Sequence, residues 1–166
     1  MTTTRRRRSY EAGHKPKWLV VIDDTQECDR AVYFAARRAA RVSASVIMLR
    51  VIETHDRNQQ WLGVADIMKA EANEEAKAAL DKASERARKT AKSKPELVVR
   101  EGDTATEILS LIENDDDIAL LVLGAGVSQE GPGPLVTSLS TTAGEFPIPI
   151  AVVPGHLSDE DIDALA

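Results

Sequence analysis

Short unbroken apolar runs alternate along this chain with stretches in which small apolar residues recur every three or four positions. Trp18 to Ile22 is the first run and stops at Asp23-Asp24-Thr25. A valine-rich run of this length fits a strand buried on both faces. From Gln26 to about Arg41, the residues Cys28, Ala31, Ala35, Ala39 and Val42 share one stripe, with Arg30, Arg37 and Arg41 off it, which predicts an amphipathic helix. Ser45 to Ile52 predicts a second buried strand. After a polar loop from Glu53 to Gln60, the spacing of Ile67, Met68, Ala72, Ala76, Ala79, Leu80, Ala83 and Ala87 predicts a long helix over about Val64 to Ala91. Pro95 marks its end.

The pattern then repeats. Leu97 to Arg100 predicts a third strand, broken by Gly102-Asp103. Thr104 and Glu107 have capping-box spacing at the head of a helix through about Glu113. Asp115 to Asp117 reads as an acidic turn, and Ile118 to Leu123 as a fourth strand. A loop rich in glycine and proline, Gly124 to Pro134, leads to a short helix over about Leu135 to Ala143. Ile148 to Val153 predicts the last strand, and Pro149 within it argues for an edge. Ser158 to Ala166 predicts one or two helical turns. Strands alternating with helices imply a five-stranded parallel sheet covered on both faces, in a doubly wound layout.

Composition changes this picture little. Among the 166 residues, 43% are hydrophobic but only 4% aromatic, so the core is aliphatic and alanine-rich. No apolar run approaches the roughly 20 residues that span a bilayer. One cysteine, Cys28, excludes an intrachain disulfide, and Arg5 to Arg8 are followed by no apolar segment of a secretory signal; the expected location is cytoplasmic. Charge is more informative. Residues 1–17 hold six basic side chains against Glu11, so +5 sits there and −11 on the remainder of a chain whose net charge is −6. An acidic body argues against a nucleic-acid-binding face. The expected division is a disordered basic tail over 1–16, one domain over 17–154 and an acidic tail over 155–166. A run such as Arg5 to Arg8 ordinarily stays solvated.

In an open parallel sheet, ligands sit at the carboxyl ends of the strands where strand order reverses. That brings together Asp23-Asp24-Thr25, the loop after Val51, and the loop beginning at Gly124. The last is neither a P-loop nor a Gly-x-Gly-x-x-Gly turn, because no Gly-Lys-Ser/Thr follows. Its glycines Gly124, Gly126, Gly131 and Gly133 fit either backbone approach to phosphate or a plain surface loop. Asp23 and Asp24 read as caps of the first helix, with a magnesium or acid/base pair as the sharper alternative. Ser138, Ser140, Thr141 and Thr142 suit helix capping or an anion. His14, His55 and His156 show no metal spacing and read as surface residues, and Cys28 as a buried structural thiol. The alanine-rich long helix packs on the sheet in the ordinary expectation, with a partner helix as the alternative.

Four segments resemble the universal stress protein family in the right order. Val21-Ile22-Asp23-Asp24-Thr25 resembles the end of its first strand, and Gly102-Asp103-Thr104-Ala105-Thr106-Glu107-Ile108 its Gly-Asp-Pro-Ala-x-x-Ile segment. Leu121-Val122-Leu123-Gly124 resembles its Val-Met-Gly, and Pro147 to Pro154 its Pro-Cys-Pro-Val-Leu-Val-Val ending. The resemblance covers about Lys17 to Pro154 and implies a Rossmann-like, adenine nucleotide alpha hydrolase-like fold. It also implies a homodimer paired through the last strand, with Ile148, Ile150 and Val152 at the interface.

ATP-binding members of that family carry Gly-x2-Gly-x9-Gly-Ser/Thr after the fourth strand. The matching positions here are Gly124, Val127, Thr137 and Ser138, so the two middle glycines are replaced. A valine Cβ disfavours positive φ and would crowd a phosphate, whereas a threonine hydroxyl still donates. Asp23 matches the aspartate that contacts adenine, and Asp24 stands where the family has glycine. The nucleotide site implied by the resemblance is Asp23, Val51, Gly124, Gly126, Thr137 and Ser138, for ATP or AMP with magnesium. Two carboxylates and a loop without a basic residue would repel a triphosphate. The expected function is therefore a non-catalytic stress-response protein with a degenerate ATP motif. The alternatives are an ATP-binding switch with slow hydrolysis, and a distant α/β enzyme of adenylating or flavin type.

Overall fold

In the computed structural model, which describes residues 6–53, 62–92 and 94–166, the pattern becomes one parallel five-stranded sheet. The strands are β1 (Lys17–Val21), β2 (Ser45–Ile52), β3 (Glu96–Glu101), β4 (Ile118–Ala125) and β5 (Ile150–Pro154). Their order is β3-β2-β1-β4-β5, so the reversal of strand order falls between β1 and β4. The register pairs Leu19 with Ile47 on one side and with Leu121 on the other, which puts β1 at the centre with Leu19 and Val20 fully buried. A strand buried on both faces needs the unbroken apolar run that the sequence shows.

Helices cover both faces. On one, α1 (Cys28–Arg41) and α2 (Leu62–Ala91) pack against Val20, Met48 and Val122. Ala31, Ala35, Ala36 and Ala39 of α1 are at most 1% exposed, and their small side chains let the helix lie close to the strands. On the other face, α3 (Thr104–Asn114) and α4 (Pro134–Thr141) cover Leu19, Val21, Leu49 and Leu123. The apolar stripe predicted for α2 is buried only in its second half. Ala76, Leu80, Ala83 and Ala87 are buried, but Ile67 and Met68 are exposed. No helix among the described residues is long and apolar enough to cross a membrane.

Several local expectations are corrected. α1 begins at Cys28 rather than Gln26, and neither Asp23 nor Asp24 caps it; Glu27 holds the N-cap position without a side-chain bond. The cap of α3 is Asp103, whose carboxylate accepts the Thr106 N–H at 3.0 Å, while the Thr104 hydroxyl donates instead to Glu53. The capping box lies at α5 (Asp159–Leu165), where Ser158 and Asp161 exchange bonds of 3.0 Å. The last strand starts at Ile150, so Pro149 precedes it and its carbonyl accepts from the Leu121 N–H. Ile148 is a core residue, 4% exposed, and lies outside the edge strand.

The described residues before β1 and the helix after β5 are both tied to the body. Arg7 is the main departure from a solvated basic run: its Nη2 lies 2.9, 3.0 and 3.1 Å from the carbonyls of Ile112, Asp115 and Ile118. These carbonyls lie at and just past the C-terminus of α3, where a cation supplies missing donors and opposes the helix dipole. Arg8 and His14 both approach Asp117, so His14 is half-buried rather than a free surface residue. At the other end α5 docks on α1 through Tyr33, whose hydroxyl donates to Asp163 at 2.8 Å. The guanidiniums of Arg30, Arg37 and Arg86 stand 4.8 to 5.6 Å from the Tyr33 ring centroid. Asp29 and Asp159 each pair with both Arg30 and Arg86, and Asp163 pairs with Arg37.

Candidate functional site

The carboxyl ends of β1, β2 and β4 enclose a cavity of about 620 Å³. Of the six residues of the nucleotide site implied by the resemblance, Asp23, Val51, Gly124 and Ser138 line it. Gly126 and Thr137 do not appear in its wall. Val127 points away with 71% exposure, so it does not crowd a ligand as expected. Nor does it take a positive φ, since in this loop that conformation falls on Gly131 and Gly133. Thr137 turns its hydroxyl back onto the Gly133 carbonyl at 2.9 Å. Ser140, Thr141 and Thr142 likewise donate to carbonyls of their own helix, which removes them as anion donors.

The two aspartates diverge. Asp23 accepts from the backbone N–H and the hydroxyl of Thr25, closing a turn rather than forming an acid/base pair with its neighbour. Asp24 receives both Nη atoms of Arg50, at 3.1 and 3.0 Å, and that guanidinium also reaches the Ile22 carbonyl at 3.3 Å. Hydrogen bonds from Arg50 hold the Asp24 carboxyl below its ordinary value. Arg50 is the one lysine or arginine lining the cavity among the described residues. Around it stand the carboxylates of Asp23, Asp24, Glu27, Glu53, Glu75 and Asp103.

Glu27 is the residue that sequence reasoning missed. A Cβ on Gly124 would lie 2.2 Å from the Glu27 carbonyl oxygen and 3.2 Å from its Cβ. A Cβ on Gly126 would lie 3.0 Å from Glu27 Oε1, and one on Gly155 3.2 Å from Glu27 Cβ. These three glycines therefore make room for the head of α1 and for Glu27. The Gly126 N–H, a natural phosphate donor, is bonded to the Pro132 carbonyl at 3.0 Å. At the same end of the sheet, Cys28 is buried and its thiol is pushed up to about 11 by burial, which makes it an unreactive core residue.

His156 is exposed, and His55 lies outside the described residues. Among the described residues no group of three His, Cys, Asp or Glu side chains is placed to hold a metal ion. Beside the β4–α4 loop lies the carboxylate of Glu27.

A parallel sheet in this order, with a cavity at the reversal of strand order, defines a Rossmann-like α/β protein. The profile of the Universal stress protein family matches residues 16–154, and the chain belongs to that family. No curated protein matches it in sequence. Among solved structures it is similar to the universal stress protein UspA from Lactobacillus plantarum, with TM-score 0.68 and 18% identity over 84% of this chain and 98% of that one. A universal stress family protein from Burkholderia pseudomallei gives TM-score 0.66 and 19% identity over 87% and 99% of the two chains. The universal stress protein from Archaeoglobus fulgidus in complex with dAMP gives 0.58 and 17% over 84% and 98%.

Proposed function

We propose that this chain is a non-catalytic stress-response protein whose pocket accepts an adenine nucleoside group and does not grip a triphosphate. The observation that carries the reading is Glu27 beside Gly126. A second charge of the same sign about 4 Å away costs on the order of 1 to 4 kcal/mol between bulk water and a protein surface. Each added phosphate of a nucleotide increases that cost, and the β4–α4 loop holds no cation to offset it. On the opposite side of the cavity stand Asp23, which the family resemblance assigns to adenine, and Val51, which it assigns to the nucleotide site. The complex of the Archaeoglobus fulgidus protein with dAMP supports the adenine part of the reading and is the reason to keep an ATP switch as the rival.

The protein would act in the cytoplasm through its surfaces, as a homodimer. β5 is an edge strand, and Val152 on it is 46% exposed, so its free backbone groups can pair with those of a second copy. Equilibrium dialysis with adenosine and with magnesium ATP, together with an assay of phosphate release, tests the function. Adenosine retained without ATP retention or turnover is the expected result. Stoichiometric ATP binding with slow phosphate release would establish the switch instead.

A further inference from the structure

We propose that Ser9 is a phosphoryl-acceptor site for a protein kinase that reads arginine, and that the arm before β1 cannot be phosphorylated there and docked on the body at the same time.

The arginine run leads directly to a hydroxyl. Arg6, Arg7 and Arg8 stand three, two and one residues before Ser9. Kinases select their substrates by charge pattern, and arginines at fixed offsets from a serine fit an acidic substrate groove. In the docked arm the same groups are engaged elsewhere. Arg7 serves the carbonyls of Ile112, Asp115 and Ile118, Arg8 faces Asp117, and Arg6 bonds the Tyr10 carbonyl. Ser9 lies in a single 3-10 turn, Arg8–Tyr10, and its N–H donates to the Asp116 carbonyl at 2.9 Å. Its hydroxyl is buried without a hydrogen-bond partner, which favours neither a modifying enzyme nor the docked arm itself. Ser9 is therefore an acceptor only when the arm lifts away.

In the transfer, the Ser9 oxygen attacks the γ-phosphorus of the magnesium ATP held by the kinase. The Oγ–P bond forms, the bond to the β-phosphate oxygen breaks, the hydroxyl proton passes to a base of the kinase, and ADP leaves. The product carries about 1.5 to 2 added negative charges and three acceptor oxygens. A buried oxygen has no space for them. The docking site is also the wrong sign: the turn from Asp115 to Asp117 holds Arg7, Arg8, His14 and Lys17 through its carboxylates. A phosphate on Ser9 would be repelled by those carboxylates and would compete with them for Arg7 and Arg8. The remaining anchor, the Tyr10 hydroxyl on the Pro147 carbonyl, is a neutral hydrogen bond. Once modified, the arm stays off the body.

Incubation of the parent chain, Ser9→Ala, Arg6→Gln and Asp117→Asn with magnesium ATP and the catalytic subunit of cyclic-AMP-dependent protein kinase tests the assignment, with the phosphate located by peptide mass spectrometry. Label is expected on Ser9 in the parent and absent from Ser9→Ala. Arg6→Gln should be labelled about tenfold more slowly, and Asp117→Asn, which loosens the arm, about tenfold faster, the size of one charge-assisted pair. No label on Ser9 in either the parent or Asp117→Asn, or an unchanged rate in Arg6→Gln, overturns the acceptor assignment. Hydrogen exchange of the phosphorylated parent then tests the exclusion without any substitution. Protection of the Ser9 N–H should fall at least tenfold while β1 amides stay protected, and Ser9→Ala should keep that protection. Unchanged protection of the Ser9 N–H after phosphorylation overturns the exclusion.

Discussion

The carboxylate of Glu27 lies against Gly126, so close that a Cβ on that glycine would meet Oε1 at 3.0 Å. The same glutamate presses its backbone on Gly124 and its Cβ towards Gly155. Glycine is needed in this region because α1 begins directly over the end of β4. Gly124→Ala should therefore destabilise the fold by about 1 to 3 kcal/mol, since the obstructing atom is backbone and cannot swing aside. Gly144→Ala, where nothing lies within 4 Å, should change stability by less than about 1 kcal/mol. Urea unfolding of the two variants makes the comparison.

Restoring the family's glycines should not restore an ATP site. Val127 is on the outside of the loop and Thr137 bonds its own helix. Val127→Gly/Thr137→Gly should show the same melting temperature with and without magnesium ATP. A nucleotide-dependent rise in that variant alone would return those two side chains to the centre of the account.

The basic arm carries stability through one arginine. Arg7→Ala removes the donor from three carbonyls around the end of α3 and should cost about 1 to 3 kcal/mol. Arg8, 57% exposed in its pair with Asp117, should cost less than about 0.5 kcal/mol when replaced by alanine. Chemical denaturation of both variants separates a clasp from a solvated run, for which the two losses would be equal and small.

Acid should loosen α5 before the sheet. Hydrogen bonds from Arg30 hold the Asp159 carboxyl below its ordinary 3.8. Asp29 is also held low: burial opposes ionisation there, but hydrogen bonds from Arg30 and Arg86 outweigh it. A depressed folded-state value means that the stabilisation is complete above the unfolded value of 3.8 and is lost as pH falls through the lower folded one. Protection of α5 amides from hydrogen exchange should therefore drop below pH 3.8 while β1 amides remain protected. Asp159→Asn should weaken that pH dependence. Simultaneous loss of both elements would contradict the reading.

The sheet was legible because five apolar runs alternate with helical stripes, and burial on both faces admits little else. Element ends were less so. Thr104 and Glu107 had the spacing of a capping box, yet Asp103, one residue earlier, takes the cap. Arg7 looked like part of a solvated run because its acceptors, near Ile112 to Ile118, are more than a hundred residues away. In the site, motif spacing pointed to Asp23, Gly124 and Ser138, which do line the cavity, and to Thr137, which does not. Glu27 and Arg50 belong to no motif. Their roles come from the crossing of α1 over β4 and from the reach of β2 to the β1 turn, neither of which leaves a local signal.

The central claim is that Gly124 and Gly126 accommodate Glu27 and the head of α1 rather than a phosphate chain. Thermal unfolding of the parent chain in rising concentrations of adenosine and of magnesium ATP tests it most directly, because a ligand of the folded state must raise the melting temperature by mass action. The account predicts a rise with adenosine and none with magnesium ATP. A rise with magnesium ATP as large as that with adenosine would show that the loop grips a triphosphate despite Glu27, and would contradict the claim.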